Sequence, residues 1–195
     1  MKLTGKESSL LIFNGRKYRL NLSFSRVLQV FEVCREKLLT DSEKAIIACS
    51  LLVKGNFPKS QSADIFNAVY EQFITIKSSG GNNGKKVVDF TQDAPYIYAG
   101  FRQAYGIDLI EQADQLSWEK FIALFRGLPD DTAIVGIMRI RSMPIPVRDK
   151  YNGDQIEKLI KLKQYYALIS EESEKNEVQP GLAGLFGALK QRAVK

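Results

Sequence analysis

The sequence contains no histidine and only two cysteines in 195 residues. Without histidine, the Ser-His-Asp and Cys-His arrangements of nucleophilic catalysis cannot form, and neither can a histidine-containing zinc site. Two cysteines are also too few for a Cys₄ zinc site. Cys34 and Cys49 lie in helical patterns without metal-ligand spacing, so we expect reduced thiols in the core of a cytosolic protein.

Long apolar runs are missing as well. No stretch approaches the roughly 20 apolar residues that cross a bilayer, and the N-terminal residues lack the apolar core and cleavage site of a signal peptide. Hydrophobic residues nevertheless make up 45% of the chain, which is enough to bury a core. We therefore expect a globular protein without a membrane span.

Basic residues are in excess, and the net charge is +6 at pH 7. The excess lies in the first half, since residues 1–90 hold 14 Lys/Arg against 8 Asp/Glu and residues 91–195 hold 14 against 14. Residues 139–163 are a local exception, with seven basic and three acidic residues. A nucleic-acid interface usually shows a tighter cluster, so we interpret this stretch as a solvated face and keep a phosphate-binding stripe as the alternative.

The pattern predicts a mainly α fold, a compact bundle of about six to seven helices with an N-terminal β-hairpin and a flexible C-terminal tail. The hairpin spans residues 9–21, where Asn14-Gly15 between two apolar-rich runs suits a type I′ turn. A stripe from Phe24 to Leu38 marks the first helix. The helices are expected to begin near Ser23, Thr40, Ser60 or Ser62, Asp93, Ser117, Asp130 or Asp131, and Asn152.

The domain organisation follows from composition. We expect a single helical domain over residues 1–170 and a mobile surface loop over residues 77–86, which contain no apolar side chain. Residues 171–195 are expected to hold a polar linker and a short amphipathic C-terminal segment.

Residues 89–109, DFTQDAPYIYAGFRQAYGIDL, mix aromatic and carboxylate side chains that could be taken for a site. Asp93 can cap a helix whose first turn holds Pro95, and Gly106 can supply a left-handed stop. We therefore interpret Asp89, Asp93 and Asp108 as helix-boundary residues and not as metal ligands or acid-base groups. One face of this helix is expected to carry Phe90, Ala94, Ile97, Phe101 and Tyr105.

Two apolar stripes are candidates for binding a protein partner. The first follows Ile156 on the seventh helix, at a spacing close to 3.5 that suits packing on another helix, and comprises Leu159, Leu162, Tyr166 and Ile169. The second lies in the C-terminal segment and comprises Leu182, Leu185, Phe186 and Leu189. Three glycines weaken that segment in isolation, so we expect it to order against a partner. We predict no catalytic, metal-binding or cofactor-binding residues.

Two short motifs resemble enzyme signatures and are rejected. Only three residues separate Gly80 from Gly84 and no Ser/Thr follows the lysines, whereas a P-loop needs four residues and a hydroxyl. Ser117 and Lys120 match S-x-x-K, but the companion S-D-N and K-T-G motifs are absent, and a helix cap explains the serine. A histidine-free hydrolase is therefore the least supported interpretation, and we expect no enzyme.

Residues 89–168 resemble a known protein family in five stretches. The first is residues 89–109, and the other four are WEKFIALFRGLPDDT, IRSMPIP, KYN and LKQYYAL. The chain resembles a family of small proteins from siphophages of Gram-positive hosts, encoded just ahead of the tape-measure gene and typified by gene product fifteen of a Listeria phage. The resemblance implies a tail assembly chaperone of the host cytoplasm. Such a protein coats the helical tape-measure protein and yields to the major tail protein as the tube polymerises.

Other functions stay open beside that resemblance. One is a structural tail or tail-completion component that remains in the virion, and another is a nucleic-acid-binding protein. The basic residues of the latter would be Arg139, Arg141, Arg148, Lys158 and Lys161. The expected partners are the tape-measure protein, the major tail protein and further copies of the chain, without a cofactor or small-molecule substrate. A membrane role for the C-terminal segment ranks below protein docking, because so few residues bury little apolar area.

Overall fold

The computed structural model describes residues 9–75 and 86–169. Within them the mainly α fold is confirmed, with seven α-helices and one small antiparallel sheet. The helices are α1 Phe24–Arg35, α2 Asp41–Leu52, α3 Ser62–Val69, α4 Ala94–Tyr105, α5 Trp118–Arg126, α6 Ala133–Ser142 and α7 Gly153–Tyr165. The strands are β1 Leu10–Phe13, β2 Arg16–Leu20 and β3 Val53–Lys54. The predicted tail lies outside the described residues, as does the predicted mobile loop apart from Lys86.

Two compact units divide the chain. Unit 1 holds residues 9–75 and 110–123 of the described chain, and unit 2 holds residues 86–109 and 124–169. The single-domain assignment to residues 1–170 stays a prediction.

The hairpin of unit 1 is built by its turn. Asn14 and Gly15 both have positive φ, 47° and 72°, as a type I′ turn requires, so this prediction is confirmed. The turn sets the register in which Leu11 lies opposite Tyr18, and both side chains are buried. β3, which the sequence did not predict, adds a third strand through the pair Leu20 and Val53.

In unit 1 the predicted start of α2 is confirmed, whereas the predicted extent of α1 is wrong. Thr40 and Glu43 form the predicted capping box, with the Glu43 N–H donating to Thr40 Oγ1 at 3.3 Å and the Thr40 N–H donating to Glu43 Oε2 at 2.8 Å. The first helix, however, ends at Arg35, so Leu38 is 92% exposed and is not part of a buried stripe. Its end is held by the buried Lys44, whose Nζ donates to the Cys34 carbonyl at 3.1 Å.

A group of aromatic side chains packs together in unit 1. Phe24 stacks on Phe121 with ring centroids 4.8 Å apart, and Phe31 meets Trp118 edge to face at 5.6 Å. The Trp118 indole N–H donates to the Ile74 carbonyl at 3.0 Å, which satisfies the polar atom that a buried tryptophan brings into a core.

Both cysteines are free and buried, as predicted. Burial raises the pKa of the Cys34 thiol to about 11, and the Lys44 charge offsets part of that rise. Burial raises the pKa of Cys49 to about 12, although a backbone hydrogen bond from Phe66 lowers it in part. Both thiols are therefore protonated, which keeps them unreactive.

In unit 2 the fourth helix starts and stops close to the predicted points. Gly106 has φ 66° and ends α4 in the left-handed conformation, as predicted. Phe90 does not lie on the helix face, because it sits in the preceding turn, where its ring packs against Phe125 at 5.5 Å. Gly100 lets α4 approach α6 closely, since a Cβ there would lie 3.3 Å from Ile134 Cγ2.

The start of α7 was predicted correctly, whereas the start of α6 was not. α6 begins after Thr132, whereas the sequence predicted a start at Asp130 or Asp131. The Thr132 hydroxyl donates to the Pro129 carbonyl at 2.7 Å. α7 begins after Asn152, as predicted, and its outer face carries an ion pair of Glu157 and Lys161 at 2.7 Å.

Candidate protein-binding surface

The C-terminal end of α7 exposes apolar side chains. Of the predicted stripe and its neighbours, Ile156 is buried and Leu159 and Tyr166 are half-buried. Leu162 is 43% exposed, Tyr165 77% and Ile169 73%. Because α7 ends at Tyr165, Ile169 lies beyond the helix. We call Leu162, Tyr165 and Ile169 the α7 surface, and we interpret it as the candidate protein-binding site.

A buried ion pair lies behind this surface. Arg141, at the end of α6, and Asp93, before α4, are 9% and 1% exposed. The guanidinium donates from Nη1 to Asp93 Oδ2 at 2.6 Å and from Nη2 to Oδ1 at 2.8 Å. This two-point geometry is the strong form of an arginine–carboxylate contact. Nη1 also donates to the Val87 carbonyl at 3.0 Å, so one side chain joins three segments of unit 2.

The carboxylates of Asp89 and Asp93 accept backbone N–H groups of the turn that precedes α4. Asp93 occupies the N-cap position but makes no capping bond, contrary to its predicted role. Its Oδ2 instead accepts the Asp89 N–H at 2.9 Å. Burial by itself would raise the pKa of Asp89, but hydrogen bonds from Lys86 and from the backbone N–H groups of Gln92 and Thr91 outweigh it. The pKa of Asp89 is therefore held well below its ordinary range.

Two sets of contacts connect this buried network to the α7 surface. Arg141 Nε donates to the Tyr166 carbonyl at 2.6 Å, and Lys163 Nζ donates to the Arg141 carbonyl at 2.9 Å. The Gln92 amide binds both polar groups of Ile169, accepting its N–H at 2.9 Å and donating to its carbonyl at 3.1 Å. The backbone on either side of the exposed side chains is thus fixed by named polar contacts.

Sequence reasoning missed this network, although a signal was present. Arg141 continues the buried stripe of Ile134 and Ile137, because the successive spacings from Ile134 to Ile137 and from Ile137 to Arg141 are three and four residues. A basic residue that continues an apolar stripe is a candidate for burial with a carboxylate, because arginine is rarely buried unless it is paired. The partner could not be found in this way, since Asp93 lies 48 residues earlier in the chain.

The five basic residues considered for nucleic-acid binding do not form one exposed basic surface. Arg141 is buried in the ion pair just described, which is a correction to its predicted place on a solvated face. Arg139 contacts Asp130 at 3.0 Å, and Lys161 contacts Glu157 at 2.7 Å. Arg148 lies within about 3.5–4.0 Å of the position that a Cβ on Gly153 would occupy, so it lies against the start of α7.

Other predicted features are placed as follows. The Ser117 hydroxyl accepts the Lys120 N–H at 3.4 Å, which supports the helix-cap interpretation of S-x-x-K. Asp108 accepts the Tyr98 hydroxyl at 2.7 Å. Within the described ranges no three His, Cys, Asp or Glu side chains gather as metal ligands, and no helix there is long and apolar enough to cross a membrane. The second stripe, Leu182, Leu185, Phe186 and Leu189, lies outside the described residues.

Comparison with known families assigns the chain. The family model described as Bacteriophage Gp15 protein matches residues 8–168, which include both described ranges almost completely. The chain therefore belongs to the bacteriophage Gp15 protein family, and this family indicates a phage structural or morphogenesis protein. No match was found among the curated proteins or among the solved structures.

Proposed function

We propose that this chain is a non-catalytic tail assembly chaperone that acts in the host cytoplasm, associates with further copies of itself and binds the tape-measure protein. Membership of a phage family supports a role in building the particle. The finer role rests on the resemblance of residues 89–168 to proteins encoded just ahead of the tape-measure gene, and on the surface chemistry below.

The observation that carries the proposal is the α7 surface. Three exposed apolar side chains, Leu162, Tyr165 and Ile169, stand on backbone fixed by Arg141 and Gln92. A rigid apolar surface suits the apolar face of a helix, as in helix-in-groove recognition. A long helical client with such a face aggregates through exposed patches unless they are covered.

The small size of the surface fits a temporary complex. A chaperone of this kind must release its client when the major tail protein polymerises around it. Interfaces that bury little area are usually weak and transient, so many copies with similar apolar contacts can cover a long helix and still be displaced.

Co-expression with the tape-measure protein tests the client. The affinity-tagged full chain is expected to retain the client on a column and keep it soluble. The variant Leu162→Ser/Tyr165→Ser/Ile169→Ser should retain at least about tenfold less, since each truncation removes part of the apolar contact. The matched control is Val147→Ser/Tyr151→Ser, which changes two side chains that are 91% and 93% exposed in the same unit and should retain the client fully.

Two results would contradict the proposal. Equal retention by both variants would remove the α7 surface from binding, and no retention by the wild type would remove the client. Mass spectrometry of purified particles separates a chaperone from a structural tail component, because a chaperone should be absent from the mature virion.

The C-terminal stripe belongs to the same proposal. We expect Leu182, Leu185, Phe186 and Leu189 to contact the client or a neighbouring copy. Deleting residues 178–195 should then change the size of the oligomer or lower the solubility of the co-expressed client. If both stay as in the full chain, these four residues have no part in binding.

A further inference from the structure

The solvent side of the hairpin sheet combines aliphatic and basic side chains. Leu10 and Ile12 of β1 are 36% and 63% exposed, and Lys17, Arg19 and Lys54 are exposed beside them. The register places Leu10 opposite Arg19 and Ile12 opposite Lys17. We call these five residues the outer sheet face.

Among the described residues, the positive charge of this face is not compensated by its neighbours in the sequence. Residues 9–22 and 53–63, which form the sheet and its flanks, contain no Asp or Glu. Arg19 lies directly opposite Lys54 across the sheet, and like charges in that position repel. Within the described residues, Lys17, Arg19 and Lys54 form no ion pair. The basic excess of the first half of the sequence is thus partly concentrated on one surface.

Three basic residues of unit 2 differ in this respect. Arg139, Arg141 and Lys161 each contact a carboxylate. An acidic ligand would have to displace those contacts, whereas on the outer sheet face it would relieve repulsion. The outer sheet face is therefore the better site for an acidic ligand.

The geometry of β1 indicates an extended ligand. The strand order is β1-β2-β3, so β1 is an edge strand among the described residues. An edge strand offers free backbone N–H and C=O groups to an added strand. Ile12 and Leu10 favour a peptide over a nucleic acid, because this face has aliphatic side chains and no aromatic ring on which a base could stack.

The sequence contains one stretch whose charge matches this face. Residues 171–177, EESEKNE, hold four glutamates and one lysine and lie outside the described residues. We propose that residues 171–177 of a second copy bind the outer sheet face beside β1, with their glutamates against Lys17 and Arg19. The inference rests on the self-association in the proposed function and is independent of the tape-measure protein.

Exchange between two copies strengthens a contact that is weak by itself. Each exposed charge pair contributes little, but a symmetric pair of copies makes the same contact twice. Once the first contact forms, the second becomes intramolecular and gains effective concentration. The association should therefore be measurable at low salt and lost when the charges are screened.

Charge reversal on the two partners tests the contact in the full-length chain alone. Lys17→Glu/Arg19→Glu, and separately the change of all four glutamates in residues 171–177 to lysine, should each weaken self-association at least about tenfold in sedimentation velocity. Mixing the two variants should restore association, because each then supplies the charge that the other lacks. The control Lys150→Glu/Lys158→Glu, in exposed residues of unit 2, should associate like the wild type.

Carbodiimide cross-linking locates the contact if a reversal variant is poorly folded. Wild-type chain is mixed with ¹⁵N-labelled chain, and amide bonds from Lys17 to glutamates of residues 171–177 are expected between copies. Cross-links found only within one copy, or a wild type that stays monomeric, would overturn the proposal. Unchanged association of Lys17→Glu/Arg19→Glu together with lost client retention would assign the face to the client and also overturn it. Client retention by wild type and control tests the proposed function separately.

Discussion

Replacing Arg141 by methionine should strongly destabilise the protein. The substitution leaves the Asp93 carboxylate buried with the Asp89 N–H as its remaining hydrogen bond in the network, and it removes donors from the Val87 and Tyr166 carbonyls. Breaking a buried ion pair by removing one partner costs about 3–5 kcal/mol. We expect a loss of that size in the free energy of unfolding.

The control is Arg139→Met, two residues earlier on the same helix. Arg139 is exposed and contacts an exposed Asp130, and such surface pairs contribute about 0–1 kcal/mol. Both variants lose one positive charge and gain the same side chain, so the difference between them isolates burial. Urea unfolding followed by circular dichroism measures both.

A second measurement separates the network from general stability. Because Arg141 Nε holds the Tyr166 carbonyl, Arg141→Met should raise the hydrogen-exchange rate of backbone amides near Tyr166 and Ile169 under native conditions. The exchange rates of amides in the hairpin of unit 1 should change less than those near Tyr166 and Ile169. Arg141→Met and Arg139→Met could lower the free energy of unfolding equally, within about 1 kcal/mol. In that case the buried pair does not stabilise unit 2, and our reasoning about the α7 surface is wrong.

Three further predictions concern single residues. Asp89→Asn should destabilise the protein at pH 7 and less so toward pH 3. Folding lowers the pKa of Asp89, so the carboxylate stabilises the fold above its unfolded pKa and loses that stabilisation on acidification. Urea melts at several pH values measure this dependence. Gly100→Ile should cost about 1–3 kcal/mol by overpacking, whereas Gly136→Ala, with open space at its Cβ, should gain up to about 1 kcal/mol in the same assay. Cys34 and Cys49 should not react with a thiol reagent at pH 8 until urea unfolds the chain.

Each of these has a contrary outcome. An Asp89→Asn effect that grows on acidification would reverse the sign of the linkage. Equal effects of Gly100→Ile and Gly136→Ala would deny the close approach of α4 and α6. Rapid thiol labelling of the native protein would show that the cysteines are accessible.

Local signals in the sequence predicted the features that depend on neighbouring residues. The Asn14-Gly15 turn, the capping box of Thr40 and Glu43, and the stop at Gly106 are each set by backbone preference or by a contact three residues away. These features need no knowledge of what packs on them, so reading the sequence was sufficient.

Features set by distant residues were missed. The end of α1 depends on Lys44, which comes from the next helix, and no Gly or Pro marks Arg35 as the last helical residue. β3 is two residues long and directly follows α2, so it has no pattern of its own. The apolar residues of α7 were identified, but their exposure depends on which side chains other helices cover.

The contact between Gln92 and Ile169 depends on the chemical type of the side chain. A primary amide can accept the Ile169 N–H and donate to the Ile169 carbonyl at the same time, as a neighbouring strand would. Glutamate has the same shape, but its second oxygen would face that carbonyl without a proton and repel it. Hydrolysis of this one amide to a carboxylate would therefore act as slow chemical damage that releases the chain at Ile169.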